Sequence, residues 1–264
     1  MLFEVLEWDT NFFGIPTARI CPPVMLPEEL ESTLDTLRKN GIQLVYWSSD
    51  APMDEAIVRS WGGCLVDRKT TYLIFLKDVE PYLSAAPPNV VPYEPRMDAG
   101  PFMTLAIQSG HHSRFAVDPR FPKEKFEQLY KHWMSRSLKK EMAMEVLAVL
   151  EDEAVVGMVT LRETEKRGDI GLIAVHSEYR GRGYGIRLVR AAQRWFFDHG
   201  YAYAQVVTQA DNVPACRLYE KCGYSIEKKK FFYHFWIQEN AGNGGAPCPG
   251  SAGIGQSPVF LSDY

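Results

Sequence analysis

The run from Leu172 to His199 constrains this chain more than any other. Leu172, Ile173, Ala174 and Val175 read as a buried strand, His176 to Tyr179 as a short connection, and Arg180-Gly181-Arg182-Gly183-Tyr184-Gly185 as a glycine-rich turn opening a helix. On that helix Leu188, Ala191, Ala192, Trp195, Phe196 and His199 share one face, and Gly200 stops it. A strand feeding a helix N-terminus through glycines presents several unpaired N–H groups on one concave surface, and the helix end adds roughly half a positive charge there. Such a surface binds phosphate. Gly183 and Gly185 keep side chains away from a diphosphate, and Arg180 and Arg182 supply charge-assisted bonds. No Lys-Ser or Lys-Thr follows the glycines, so a Walker loop is absent, and no third glycine falls at the dinucleotide-binding spacing. Nucleoside triphosphates and NAD are therefore poor candidates.

The flanking sequence supplies the rest of a domain. Residues 146–150, 154–162 and 169–175 read as three strands joined by charged turns, with consecutive antiparallel pairing the simplest topology. After the loop helix come a strand at 201–208, a helix from its cap Asn212 to Cys222, and a strand at 231–237. Helices at 98–109 and around 126–134 precede this set, separated by a polar loop at 110–115. Nearer the start, strands at 3–8 and 17–21, a helix at 27–40 closed by Gly41, a strand at 42–47, a helix at 53–61 and a strand at 70–76 form a smaller α/β unit. Pro81, Pro87, Pro88, Pro92 and Pro95 remove backbone donors between the two sets. The expected organisation is an N-terminal α/β domain at 1–80, a linker at 81–95, a larger domain at 96–239 and a Gly/Pro-rich tail at 240–264 with little fixed structure.

Composition narrows the partners. A chain of 264 residues with 46% hydrophobic content can bury a sizeable core, and a net charge of −4 supplies no global field for DNA or an anionic membrane. Five cysteines without a CxxC pair fit free thiols in a reducing compartment, and the acidic N-terminus lacks a basic leader, so a cytoplasmic protein is expected. The six histidines show no metal-ligand spacing, and no metal is expected.

Arg180, Gly183 and Gly185 match the cofactor signature of the GNAT superfamily of N-acetyltransferases: Arg or Gln, two residues, Gly, one residue, then Gly or Ala. The family's downstream strand, Asn-capped helix and tyrosine also have counterparts in order, at Tyr201 to Thr208, Asn212 and Tyr219, so the resemblance covers about 96–237. It implies the GNAT fold, with a central mixed, mostly antiparallel sheet, and acetyl-CoA as co-substrate. It also implies that Leu172 to Val175 splay from the next strand to pair with the pantetheine arm, that the loop Arg180–Gly185 holds the diphosphate, and that Asn212 touches the cofactor while capping its helix. Tyr219 would protonate the departing thiolate, the alternative being a packed core aromatic. A strand N–H near Ala174 or Val175 would hold the oxyanion.

Further strings span both parts of the chain: Asn11-Phe12-Phe13-Gly14, Ser113-Arg114-Phe115, Leu161-Arg162-Glu163, and Thr208-Gln209 with Asn212. In these the sequence resembles the dTDP-fucosamine acetyltransferases, which act on a dTDP-linked 4-amino-4,6-dideoxygalactose. The resemblance implies an acceptor site drawn from Phe13, Arg114, Phe115, Arg162 and Gln209, because a dTDP-sugar needs a flat apolar face and cations for two phosphates. Packing is the alternative for each. That family places its glutamate base in a stretch that here reads Leu65-Val66-Asp67-Arg68, which leaves Asp67, Glu163 or a water chain as the base. Dimerisation is an expectation of the same resemblance. The competing readings are a GNAT enzyme for a peptide or antibiotic amine, a sugar-nucleotide binder, and a CoA-binding module without turnover.

Overall fold

The computed structural model describes residues 1–79, 87 and 89–237. In chain order its elements are β1 (Phe3–Val5), α1 (Glu7–Phe13), β2 (Thr17–Ile20), α2 (Pro27–Lys39), β3 (Leu44–Ser49), α3 (Glu55–Ser60), β4 (Gly63–Phe75), α4 (Leu76–Val79), β5 (Val90–Pro92), α5 (Gly100–Ser109), α6 (Arg114–Val117), α7 (Lys123–Leu138), β6 (Glu145–Glu151), β7 (Ala154–Thr164), β8 (Arg167–Val175), α8 (Tyr184–Asp198), β9 (Tyr203–Gln209), α9 (Val213–Lys221) and β10 (Ser225–Trp236). They gather into two compact units, neither contiguous in sequence. One holds Met1–Lys69, Ser113–Lys125 and residues 229–237; the other holds residues 70–79, 89–112 and Phe126–Lys228.

In the first unit the strand order is β1-β2-β3-β10-β4, with β2 parallel to β3 and β10 antiparallel to β3. The helix α2 forms where expected. Pro27 suits its first turn, the Glu29 carboxylate accepts the Leu26 N–H at 3.0 Å, and Glu28 at the start and Arg38 and Lys39 at the end complement the helix dipole. Leu30, Leu34 and Leu37 bury one face against Ala18, Val45, Trp47, Tyr233 and Phe235. Each such leucine contributes on the order of 2 kcal/mol by leaving water. The expected strand 3–8 is cut short: from Glu7 the chain turns into α1, which buries Phe13. The expected loop at 110–115 likewise closes into the single turn α6 at Arg114.

In the second unit the order is β4-β9-β8-β7-β6-β5, β4 contributing residues 70–75. The three strands β6, β7 and β8 pair antiparallel in succession as their spacing suggests, and β8 pairs parallel with β9. Val90–Pro92, inside the stretch expected as linker, is the edge strand β5, paired antiparallel with β6. An edge strand tolerates proline because one side of its backbone needs no ladder partner, and this is why the proline run hid it. Residues 81–86 and 88 of that stretch, and the tail at 240–264, lie outside the described residues.

Helix α8 lies on β6, β7 and β8 and buries Leu188, Val189, Ala191, Ala192 and Phe196. Gly168 makes that contact close: a Cβ there would stand 2.4 Å from the Phe196 ring. Gly168→Ala is therefore expected to lower unfolding free energy by about 2 kcal/mol through overpacking, read as a lower urea midpoint at unchanged m-value.

Candidate active site

Two glycines in a left-handed backbone build the loop before α8. Gly181 and Gly183 both have φ of +79°, where an L side chain costs about 1–2 kcal/mol. A Cβ on either would meet nothing within 4 Å, so the space beside the loop is open. Gly183 is the N-cap of the 15-residue α8, which puts the helix's first-turn N–H groups at the loop. Gly185 has a different role from the one expected. A Cβ there would lie 3.2 Å from Leu218 on α9, so its bareness serves the approach of two helices. The arginines are anchored: Arg180 Nε donates to the Val175 carbonyl at 3.1 Å, and Arg182 Nη1 donates to Glu151 at 3.1 Å while lying 5.0 Å over the Tyr179 ring. The Tyr184 hydroxyl donates to the same Glu151 carboxylate.

Ahead of the loop, β8 parts from β9. Their ladder pairs Gly168, Asp169 and Ile170 with Ala204, Gln205 and Val206, whereas β8 continues to Val175 and β9 to Gln209. A register shift in the β7–β8 ladder at the same level sets Gly171 and Leu172 together against Thr160, a β-bulge. Thr160 Oγ1 accepts the Leu172 N–H at 2.7 Å, and it would stand 2.7 Å from a Cβ on Gly171, so glycine is required. Past the bulge the His176 N–H donates to Val156 of β7, and the Ala174 carbonyl stands 3.0 Å from a Cβ built on Gly157 of β7. The period of two then turns the Ile173 and Val175 amides toward the side that β9 has left. The Ala174 amide therefore faces β7, and Ile173 and Val175 are the strand amides left as candidates for an oxyanion donor.

Tyr219 projects from α9, whose cap Asn212 accepts the Ala215 N–H at 3.3 Å. Its ring is 2% exposed and lies 5.8 Å from that of Tyr72 and 6.1 Å from that of Tyr224. Burial first, then the neighbouring Cys216 and Cys222, push its phenol above the ordinary value of 10.0, so it holds its proton at neutral pH. Leu218, its neighbour in sequence, is the residue packed on Gly185, so α9 sits beside the first turn of α8.

The other expected site residues fall into separate groups. Phe13, Arg114 and Phe115 come together in the first unit, which also holds Asp67, buried on β4. Phe13 and Phe115 stack on each other at 5.4 Å, each with Phe121 edge-on, and both are buried. The flat faces expected to receive thymine are therefore covered by neighbouring rings. Arg114 lies 4.1 Å over the Tyr46 ring and 4.5 Å over that of Phe115.

Arg162, Glu163 and Gln209 belong to the second unit. Arg162 Nε donates at 2.6 Å to the buried Asp169, which also accepts from Thr164 and Gln205. Glu163 accepts the Tyr201 hydroxyl at 2.7 Å and pairs across the ladder with Gly168. That places it five strand residues, roughly 16 Å, from Ile173, too far to serve as a base at the bulge. Gln209 ends β9, and its carbonyl accepts the Asn212 N–H at 2.9 Å.

The sequence reading missed Thr160, Tyr46, Asp118 and His234. A glycine inside a strand run, Gly171, was the available signal for the bulge. Nothing local in the sequence marks the other three. Among the described residues no group of three or more His, Cys, Asp or Glu is placed to hold a metal, and no helix is long and apolar enough to cross a membrane.

Residues 110–224 match the model of the Acetyltransferase (GNAT) family. The spore coat polysaccharide biosynthesis protein SpsD of Bacillus subtilis (strain 168) is 25% identical over 167 residues, covering 63% of this chain and 55% of that protein. A streptothricin acetyltransferase from Escherichia coli is 34% identical over 76 residues, 28% of this chain and 44% of its own length. The chain thus spans about half the length of these curated relatives. Among solved structures, a functionally unknown conserved protein from Staphylococcus epidermidis ATCC 12228 superposes with a TM-score of 0.66 at 15% identity, covering 88% of this chain and 89% of that one. A GCN5-related N-acetyltransferase from Sphaerobacter thermophilus gives 0.59 at 18% identity, covering 89% and 76%. The fold is the GNAT fold, and residues 110–224 are the part of the chain that matches the Acetyltransferase (GNAT) family model.

Proposed function

We propose that this chain transfers the acetyl group of acetyl-CoA to the amine of a nucleotide-linked amino sugar, a dTDP-4-amino-4,6-dideoxyhexose, by direct attack on the thioester. The opening between β8 and β9 above the Gly181–Gly183 loop carries the reading, because one strand edge and one helix N-terminus together suit an extended pantetheine and its diphosphate. No metal takes part. The similarity to a spore coat polysaccharide biosynthesis protein supports a sugar acceptor, and the N-terminal residues 1–80 are proposed to contribute to binding it.

In this scheme the loop amides with Arg180 and Arg182 hold the diphosphate, and Leu172 to Val175 align the pantetheine. The Ile173 and Val175 amides stabilise the oxyanion as the neutral amine attacks. Tyr219 then gives its proton to the departing sulfur. The phenol is a weaker acid than a thiol by about two units in water, and the burial that raises it raises the thiolate's proton affinity as well, so the transfer stays near balance. Asp67 is assigned the ammonium's proton, and Arg114, Arg162 and Gln209 the acceptor's polar groups. No acyl-enzyme forms, and a labelled acetyl group trapped on Cys216 or Cys222 during turnover would rule out this scheme.

A second reading, a GNAT enzyme for a small-molecule or peptide amine, is favoured by the covering of Phe13 and Phe115 and by the similarity to a streptothricin acetyltransferase. dTDP alone separates the two. At a hundred times its Kd it is expected to add about 2.7 kcal/mol of stability under the sugar-nucleotide reading, seen as a higher Tm, and no shift under the other.

A further inference from the structure

In the first unit a buried polar chain runs inward from Arg114. Its Nη1 lies 3.5 Å from His234 Nε2, and His234 Nδ1 lies 2.8 Å from Asp118 Oδ2. The His234 and Asp118 side chains are both 0% exposed. Asp118 also accepts from Arg120 Nε at 2.8 Å and from Trp236 Nε1 at 3.0 Å. These donors hold Asp118 as an acceptor-only carboxylate, so the imidazole proton must sit on Nδ1, which leaves the Nε2 lone pair facing the Arg114 N–H. The rings of Tyr46, at 4.9 Å, and Phe121, at 5.5 Å, fix the imidazole plane. Stacking on Tyr46 and Phe115 fixes the guanidinium from its faces while His234 fixes one edge. With the opposite tautomer, two N–H groups would confront each other.

We propose that Asp118 and His234 are positioning residues that lock Arg114, through one imidazole tautomer, in the orientation that binds a phosphate oxyanion of the acceptor. The proposal rests on the reading that Arg114 meets the acceptor's diphosphate. A planar fork held in one orientation binds two oxygens of a phosphate at once, and a fork free to rotate gives up that geometry. The charged groups reaching His234 are Asp118, Arg114 and Arg120, and a protonated imidazole would set a second cation against Arg114.

The test measures dTDP and acetyl-CoA binding to the full chain by calorimetry, with the His234 tautomer read from its imidazole ¹⁵N shifts. Arg114→Ala is expected to weaken dTDP at least about tenfold and to leave acetyl-CoA unchanged. Asp118→Asn is expected to move the His234 proton to Nε2 and to weaken dTDP by a similar factor. His234→Gln, which keeps an acceptor facing Arg114, should stay within about twofold of wild type, while His234→Leu should fall about tenfold; this pair decides the matter if Asp118→Asn does not fold. Wild type that binds no dTDP, or Arg114→Ala with wild-type affinity, overturns the acceptor reading and the proposal with it. If Arg114→Ala loses dTDP while Asp118→Asn, with its tautomer moved, or His234→Leu keeps it, the positioning role alone is wrong.

Discussion

Tyr219→Phe is expected to lower kcat about a hundredfold, the scale of a lost general acid, while the acetyl-CoA KM stays within about twofold. The split follows from where the hydroxyl acts. The ring is buried between Tyr72 and Tyr224 on α9, and phenylalanine keeps that packing, so the fold and the loop before α8 are left as they are. Under the proposed scheme, what disappears is a proton needed only as the C–S bond breaks, a transition-state interaction that ground-state binding does not register. Comparable losses in both constants would instead mean that Tyr219 holds the pantetheine, and an unchanged kcat would leave it a packing residue. Pre-steady-state thiol release separates chemistry from product release if the latter limits turnover.

Acid is expected to unfold the protein through His234 and Asp118. Burial pushes His234 from 6.5 down to about 4 despite its bond to Asp118; burial also acts to raise the Asp118 carboxyl, but its bonds to His234, Arg120 and Trp236 outweigh this and hold it below the usual carboxylate range. Both folded-state values are depressed, so in each case the unfolded chain takes up the proton first and stability falls as pH drops. The His234 contribution is intact above about pH 6.5 and is lost between there and about pH 4, on the order of 3 kcal/mol; Asp118 continues the loss at lower pH. Urea unfolding from pH 7 to pH 4 measures it. His234→Gln should flatten that slope by the histidine's share, and an equally steep slope in the variant would assign the acid sensitivity to other groups.

Local chemistry made much of the second unit legible. The helical spacing of Leu188, Ala192 and Phe196, the cap at Asn212 and the charged turns between β6, β7 and β8 each act within a few residues, and each forms as read. Long-range packing hid the rest. Gly185 reads as a phosphate glycine until Leu218, 33 residues away, is found against it. Phe13 and Phe115 read as exposed faces because the sequence does not show that they stack on each other, and Glu163 reads as a base because the ladder that carries it away from Ile173 is a matter of register. The pairing of Asp118 with His234 joins residues 116 positions apart. His234 comes from β10, where it pairs with Tyr46 of β3, and Asp118 from the end of α6, so nothing local in the sequence joins them.

Free-thiol release reports the proposed acetyl transfer from acetyl-CoA to a dTDP-linked amino sugar. With acetyl-CoA and dTDP-4-amino-4,6-dideoxygalactose, thiol should appear in step with an acetylated sugar nucleotide identified by mass spectrometry, and omitting the sugar should abolish it. No release with this acceptor, alongside turnover of a peptide or aminoglycoside amine, would contradict the sugar assignment and leave the GNAT fold and its loop in the service of another acceptor.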